Sequence, residues 1–284
     1  MSVKNLGRVK GEDGKSAYQI WLDLGNVGTE EDFLKSLKEE NYKLKDKKIS
    51  LLGDSITTFS GYIPNGYARF YPAGDIQKVE QTWWKQLIDE TGMILVKNCS
   101  WSGSCVTGHS SSTSSASAGC STARVNDLTD GVNIPDIIIC FIGINDFTNS
   151  TSKPLGNYIG RSPIPVDGTI TNFADAYAIM MKKILEKYPS SKLYCCSLLE
   201  ASIEHVDNVG QREFPTINND VVVSEYNERI ELLCKNIGAE FIDLHSCGIN
   251  YWNLSRYTID GLHPNIAGAT LIKNKVKSKL LNDY

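Results

Sequence analysis

Residues 135–143 read PDIIICFIG, an unbroken apolar run from 137 to 142 held between Pro-Asp and Gly. A strand with one wet face alternates apolar and polar residues. A continuous run this short, closed by Pro and Gly, predicts a strand covered on both faces, as in a parallel sheet. The other candidate strands are KKISLLG (47–53), MILVKN (93–98), KLYCCSLL (192–199) and AEFIDL (239–244). Between them stand helical patterns. VEQTWWKQLIDETG (79–92) is ended by Gly92 and SEYNERIELLCKNIG (224–238) by Gly238. NFADAYAIMMKKILEKYP places apolar residues at 173, 177, 180, 181, 184 and 188 before Pro189 stops it. NIAGATLIKNKVKSKLL (265–281) is the last helix. Strands separated by helices predict an α/β fold: a three-layer α/β/α sandwich with a central parallel sheet and right-handed crossovers.

This domain is expected over 46–284, preceded by an N-terminal helical segment over 1–45. In that segment Ser16 can cap one short helix, closed by Gly25. Thr29 opens a second with TEED, a capping-box-like start. Ile20, Trp21, Leu24, Phe33, Leu34 and Leu37 are its candidate apolar cluster, too small to fold alone.

Composition narrows the function. The net charge is -4 and the basic residues are scattered, so no nucleic-acid partner is expected. No stretch has the roughly 20 apolar residues a membrane span requires. The N-terminal residues lack the apolar core of a secretory signal. The expected location is therefore cytoplasmic, or a surface reached without a leader. Several of the eight cysteines fall inside the apolar strand runs, where reduced core thiols are the expectation. No C-x-x-C pair occurs, and neither a metal nor a cofactor is expected. HSSSTSSASAG (109–119) reads as a flexible loop, and 148–171 as a second long loop, functional or mobile.

Parallel sheets bind ligands beyond the carboxyl ends of their strands. At those ends stand Gly53-Asp54-Ser55, Asn98-Cys99-Ser100-Trp101-Ser102-Gly103, and Gly143-Ile144-Asn145-Asp146, with Asp260-Gly261-Leu262-His263-Pro264 before the last helix. Singly, each is an ordinary turn or cap. Together they supply the parts of acyl transfer. Ser55 would be the nucleophile, His263 the base that activates it, and Asp260 the carboxylate orienting the imidazole. The Ser55 and Gly103 amides and the Asn145 side chain would form the oxyanion hole. Asp54, although adjacent to Ser55, is expected to brace the loop, because Asp260 shares a turn with His263. A helix after Ser55 would add a positive N-terminal end favouring the oxyanion. No G-x-S-x-G pentapeptide occurs, which sets the α/β-hydrolase elbow aside. His109, His205 and His245 are expected to be structural or solvated.

These blocks resemble the SGNH hydrolases, also called the GDSL lipase/esterase superfamily. Block one matches as GDSIT, with Ile56 in place of the common leucine. The others match as NCSWSG, GIND and DGLHP, over about residues 47–281. The resemblance implies a flavodoxin-like α/β/α fold and a metal-free ester hydrolase that passes through an acyl-serine intermediate. Residues 7–38 resemble a short module of phage tail-type and surface-associated proteins, often beside collagen-like repeats. Oligomerisation through this segment is one implication.

After the nucleophile comes an aromatic stretch, GYIPNGYARFYPAGDIQKVEQTWW (61–84). Its Tyr67, together with Trp101 and Arg124, forms the candidate substrate-binding set. Of Trp83 and Trp84, one is expected in the core. The loops are polar and no apolar lid is evident. The expected substrate is therefore a short acyl ester, such as acetyl, on a small polar molecule or glycan. The alternatives are a lipase- or thioesterase-type acylhydrolase acting on longer chains, and a virion- or surface-associated binding module with a vestigial hydrolase fold.

Overall fold

The computed structural model describes residues 15–34, 43–108, 118–148, 153–161, 163–165, 168, 170–201 and 222–284. Its centre is one parallel sheet of five strands: β1 Lys48–Gly53, β2 Ile94–Asn98, β3 Ile137–Phe141, β4 Lys192–Cys196 and β5 Glu240–Ile242, in the order β2-β1-β3-β4-β5. Every residue of β3 is buried, as its continuous apolar run requires.

The helices among the described residues are α1 Ala17–Asp23, α2 Trp83–Thr91, α3 Thr122–Asn126, α4 Ile144–Thr148, α5 Phe173–Lys187, α6 Val223–Ile237, α7 Leu254–Tyr257 and α8 Ile266–Asp283. The chain steps one way from β1 to β2 and the other way from β2 through β5. Right-handed crossovers then place α2 on one face and α3, α5 and α6 on the other. The packing agrees: α2 lies against α8, and α5 lies against α3 and α6. This is the three-layer α/β/α sandwich with flavodoxin-like strand order.

Local chemistry sets the helix ends. The pattern over 79–92 divides in two, because Thr82 breaks it. A 3-10 turn covers Val79–Gln81, and the Thr82 side chain then caps α2 by accepting from Lys85 N. Gly92 ends α2 in the left-handed conformation, φ 71°. Trp83 and Trp84 are both in the core, at 1% and 0% exposure, where one was expected. All eight cysteines are free thiols and seven are buried.

In the N-terminal segment Ser16 caps α1 by accepting from Gln19 N, and Gly25 follows it with φ 92°. Thr29 and Asp32 exchange backbone N–H bonds, so TEED forms a capping box with aspartate in the reciprocal place. The apolar cluster differs from expectation. Trp21 and Phe33 meet with ring centroids 5.7 Å apart, joined by Tyr18, while Leu24 is 78% exposed and Ile20 and Leu34 are exposed. Leu37 lies outside the described residues, as do His109, His205 and most of the serine-rich run. No residue of 15–34 is buried. In the second long loop, Arg229 on α6 donates to the carbonyls of Gly156 and Tyr158, which fastens that part of the loop to the sandwich.

Candidate active site

The strand order reverses between β1 and β3, and this switch point is where a parallel sheet opens a crevice. β1 delivers Ser55 there. A Cβ on Gly53 would stand 2.7 Å from Ser100 Oγ and 2.8 Å from Thr57 Oγ1, so that position has room only for glycine. The Gly53 carbonyl accepts from Arg124 Nη2 at 2.9 Å and from Trp101 N at 3.1 Å. Ser55 then opens a single 3-10 turn, Ser55–Thr57, in place of the helix expected from the sequence. A turn this short has no macrodipole to offer an anion. Its N-cap is Asp54, whose carboxylate accepts from Ile56 N at 3.1 Å. Burial pushes the Asp54 carboxyl up to about 7. The amide of Ile56, Arg124 and the amide of Gly143 oppose that rise, and the Asp146 carboxylate adds to it.

The partner of Ser55 arrives on the turn before α8. Asp260 Oδ1 accepts from Leu262 N at 3.1 Å and from His263 N at 2.8 Å, closing an Asx-type turn in which Gly261 takes φ 85°. This folds the carboxylate back onto its own histidine. Asp260 Oδ2 lies 2.7 Å from His263 Nδ1, and His263 Nε2 lies 2.8 Å from Ser55 Oγ. Partial burial raises the Asp260 carboxyl, but the hydrogen bonds from the His263 ring and backbone overcome it and hold it down to about 2. An ionised Asp260 fixes the proton on Nδ1 and leaves Nε2 free to accept from the serine hydroxyl.

The third wall is made by the loop after β2 and the turn after β3. Gly103 has φ 77°, and nothing lies within 4 Å of the position a Cβ would take. Asn145 is half-buried and donates from Nδ2 to the Ser104 carbonyl at 3.0 Å. Beside it Asp146, fully buried, accepts from Val106 N at 2.7 Å, Thr107 N at 3.1 Å and Thr107 Oγ1 at 2.7 Å. The Asn145-Asp146 pair therefore grips residues 104–107, next to Gly103. The sequence reading did not single out Asp146; its signal was a buried-looking carboxylate between Asn145 and Phe147.

Of the three candidate substrate-binding residues, Trp101 and Tyr67 stack at 3.9 Å between ring centroids, and both are half-buried. Tyr67 is anchored by its hydroxyl, which donates to Asp127 Oδ2 at 3.0 Å. Arg124 does not line the surface. It is 0% exposed, with its guanidinium 5.6 Å from the Tyr67 ring and its Nη2 on the Gly53 carbonyl. The expectation that Arg124 touches substrate is corrected: it packs beneath the Ser55 turn, where it is a second donor, beside Trp101 N, to the Gly53 carbonyl. His245 Nε2 lies 3.3 Å from Glu200 Oε2, and that carboxylate pushes its pKa up. Among the described residues no cluster of three or more His, Cys, Asp or Glu side chains is placed to hold a metal.

A parallel α/β sandwich with Ser, His and Asp in one hydrogen-bonded chain at its switch point defines a class of serine hydrolase-like sites. Residues 47–213 match the family model described as GDSL-like lipase/acylhydrolase. The chain belongs to this family, whose members are acylhydrolases and esterases. The fold is similar to that of a candidate GDSL-like lipase from Bacteroides ovatus, 26% identical with a TM-score of 0.60 over 84% of this chain and 99% of the other. A candidate GDSL-like lipase from Bacteroides uniformis is 25% identical, with a TM-score of 0.59 over 84% and 97%. A family two carbohydrate esterase from Clostridium thermocellum, solved with cellohexaose, shares the fold at 17% identity and a TM-score of 0.52, over 84% of this chain and 65% of that one. No curated relative matches the sequence.

Proposed function

We propose that this protein is a serine ester hydrolase that works through an acyl-Ser55 intermediate and removes short acyl groups, acetyl above all, from a carbohydrate or similarly polar alcohol. The observation that carries the reading is the continuous chain of bonds from Asp260 through His263 to Ser55, 2.7 Å and 2.8 Å long. His263 takes the Ser55 proton as Oγ attacks the ester carbonyl and returns it to the leaving alcohol. A water, deprotonated by the same imidazole, then releases the acid. The amides of Ser55 and Gly103 and the Asn145 side chain hold the oxyanion.

The substrate reading rests on the surface around the nucleophile. Trp101, two residues before Gly103 and backed by the stacked Tyr67 ring, offers one aromatic face of the kind on which sugar faces pack. The fold-level likeness to a carbohydrate esterase points the same way. Hydrolysis of p-nitrophenyl acetate by the wild type and by Ser55→Ala tests the reaction class, and equal rates would sink it. A screen of acetylated glycans against long-chain esters tests the substrate. Turnover of the long chains without any release of acetate would overturn that part.

A further inference from the structure

The DGLH turn sits at the surface, and Asp260 alone cannot stop an imidazole rocking about its Nδ1 bond. A second restraint lies on the ring face. Phe70 stacks on His263 with ring centroids 3.5 Å apart and planes 8° from parallel. Phe70 is itself held edge-on by the buried Tyr71 ring, 4.9 Å away at 87°. Its backbone N–H donates to Thr58 Oγ1 at 2.8 Å, and that hydroxyl donates in turn to the Ser55 carbonyl at 3.0 Å. One hydroxyl thus joins the residue under the imidazole to the residue carrying the proposed nucleophile.

The same segment also grips the chain after the histidine. Tyr71 donates its hydroxyl to the Pro264 carbonyl at 2.6 Å, and Ile266 N donates to the Asp75 carboxylate at 3.2 Å. Ser102 N, in the Gly103 loop, donates to the Ala68 carbonyl at 2.8 Å. Residues 58–75 therefore touch all three walls of the site, which the sheet alone does not tie together.

From this we propose that Phe70 is a positioning residue of the reaction. Its ring fixes the plane of the His263 imidazole so that Nε2 faces Ser55 Oγ, and its π-face stabilises the imidazolium formed when the serine proton moves. The inference rests on the serine-hydrolase reading above. Phe70→Leu keeps the apolar volume but removes the flat face. It is expected to lower kcat on p-nitrophenyl acetate about tenfold, the size of one face-on aromatic–cation contact, with KM moved less than about twofold. Phe70→Tyr keeps the face and is expected to recover most of kcat.

A readout independent of turnover is the far-downfield proton resonance of His263 Nδ1–H on Asp260. It should be sharp in the wild type and Phe70→Tyr, and broadened or lost in Phe70→Leu. A Phe70→Leu protein with wild-type kcat and an unchanged resonance overturns the proposal. So does equal loss in the Leu and Tyr variants. A wild type that neither hydrolyses esters nor labels at Ser55 with a fluorophosphonate would defeat the hydrolase reading instead, and the resonance would still decide whether Phe70 orders the ring.

Discussion

The Ser55 side of the site and the His263 side are built in opposite ways. Ser55, Asp54 and Asp146 lie at the carboxyl end of the sheet with almost no exposure, and the two carboxylates accept from backbone amides of the turn after β1 and the loop after β2. Asp260 and His263 stand on a surface turn. The Asp260 side chain is 43% exposed, and the turn is held by its own Asx-type bonds and by residues 70–75. The rigid half is the one that would meet developing charge, where preorganised donors cost no reorganisation. The half on the turn would carry the moving proton, where alignment matters more than burial. If that division is right, variants on the two halves fail differently.

The largest effect is expected on the turn. Asp260→Asn keeps the shape but removes the carboxylate that selects the imidazole tautomer. A loss of kcat on the order of 10^4-fold is expected, with the pre-transition fold intact by circular dichroism. A loss under tenfold would mean that the exposed carboxylate is dispensable and the Phe70 stack orders the ring unaided. Next comes the rigid wall. Asn145→Ala should cost on the order of 10^2- to 10^3-fold in kcat with little change in KM, as expected for loss of an oxyanion donor, and it also removes the Nδ2 bond to the Ser104 carbonyl. A rise in KM with kcat unchanged would move Asn145 from oxyanion support to ordinary substrate binding.

This asymmetry also explains what the sequence made readable. The strands could be read because a doubly covered strand must be apolar throughout, and the long helices because a one-sided helix repeats every 3.6 residues. Asp260 and His263 could be paired because they are three residues apart. The 3-10 turn after Ser55 could not be anticipated. A polar-apolar mix such as SITTF is compatible with a helix, but the chain leaves the turn at Thr58, which takes extended angles and returns both its amide and its hydroxyl to the Ser55 carbonyl. Arg124 read as a surface cation because arginine usually is one. Only the fold shows the Gly53 carbonyl at the sheet end, which takes the Arg124 guanidinium as a second donor beside Trp101 N. Phe70 was visible only as one of many aromatics, since its partner His263 is 193 positions away and no local period links them.

A smaller effect separates the two halves by pH. Burial raises the Asp54 carboxyl to about 7 from its ordinary 3.8, so between about pH 4 and pH 7 the folded state holds a proton that the unfolded chain has released. Stability should therefore fall as pH rises through that window, by at most about 1.4 kcal/mol per pH unit for one proton. Asp54→Asn should flatten the fall. Tm measured against pH checks it, and parallel curves for the two proteins would show that Asp54 is already ionised and matched by Arg124 and its amide donors.

The smallest effect has the opposite sign. Asp260 is held down to about 2, below its ordinary 3.8, so its contribution is present above about pH 4 and is lost as pH falls toward 2. With the side chain 43% exposed, solvent screening should keep that contribution below about 1 kcal/mol. Asp260→Asn should therefore remove only a shallow acid-side slope in Tm, although it removes most of the activity. A steep acid-side loss of stability that disappears in Asp260→Asn would mean the turn is as strongly built as the sheet edge. The rigid-versus-adjustable division would then fail at its weaker side, and the stacked Phe70 would be restraining a ring the carboxylate already held.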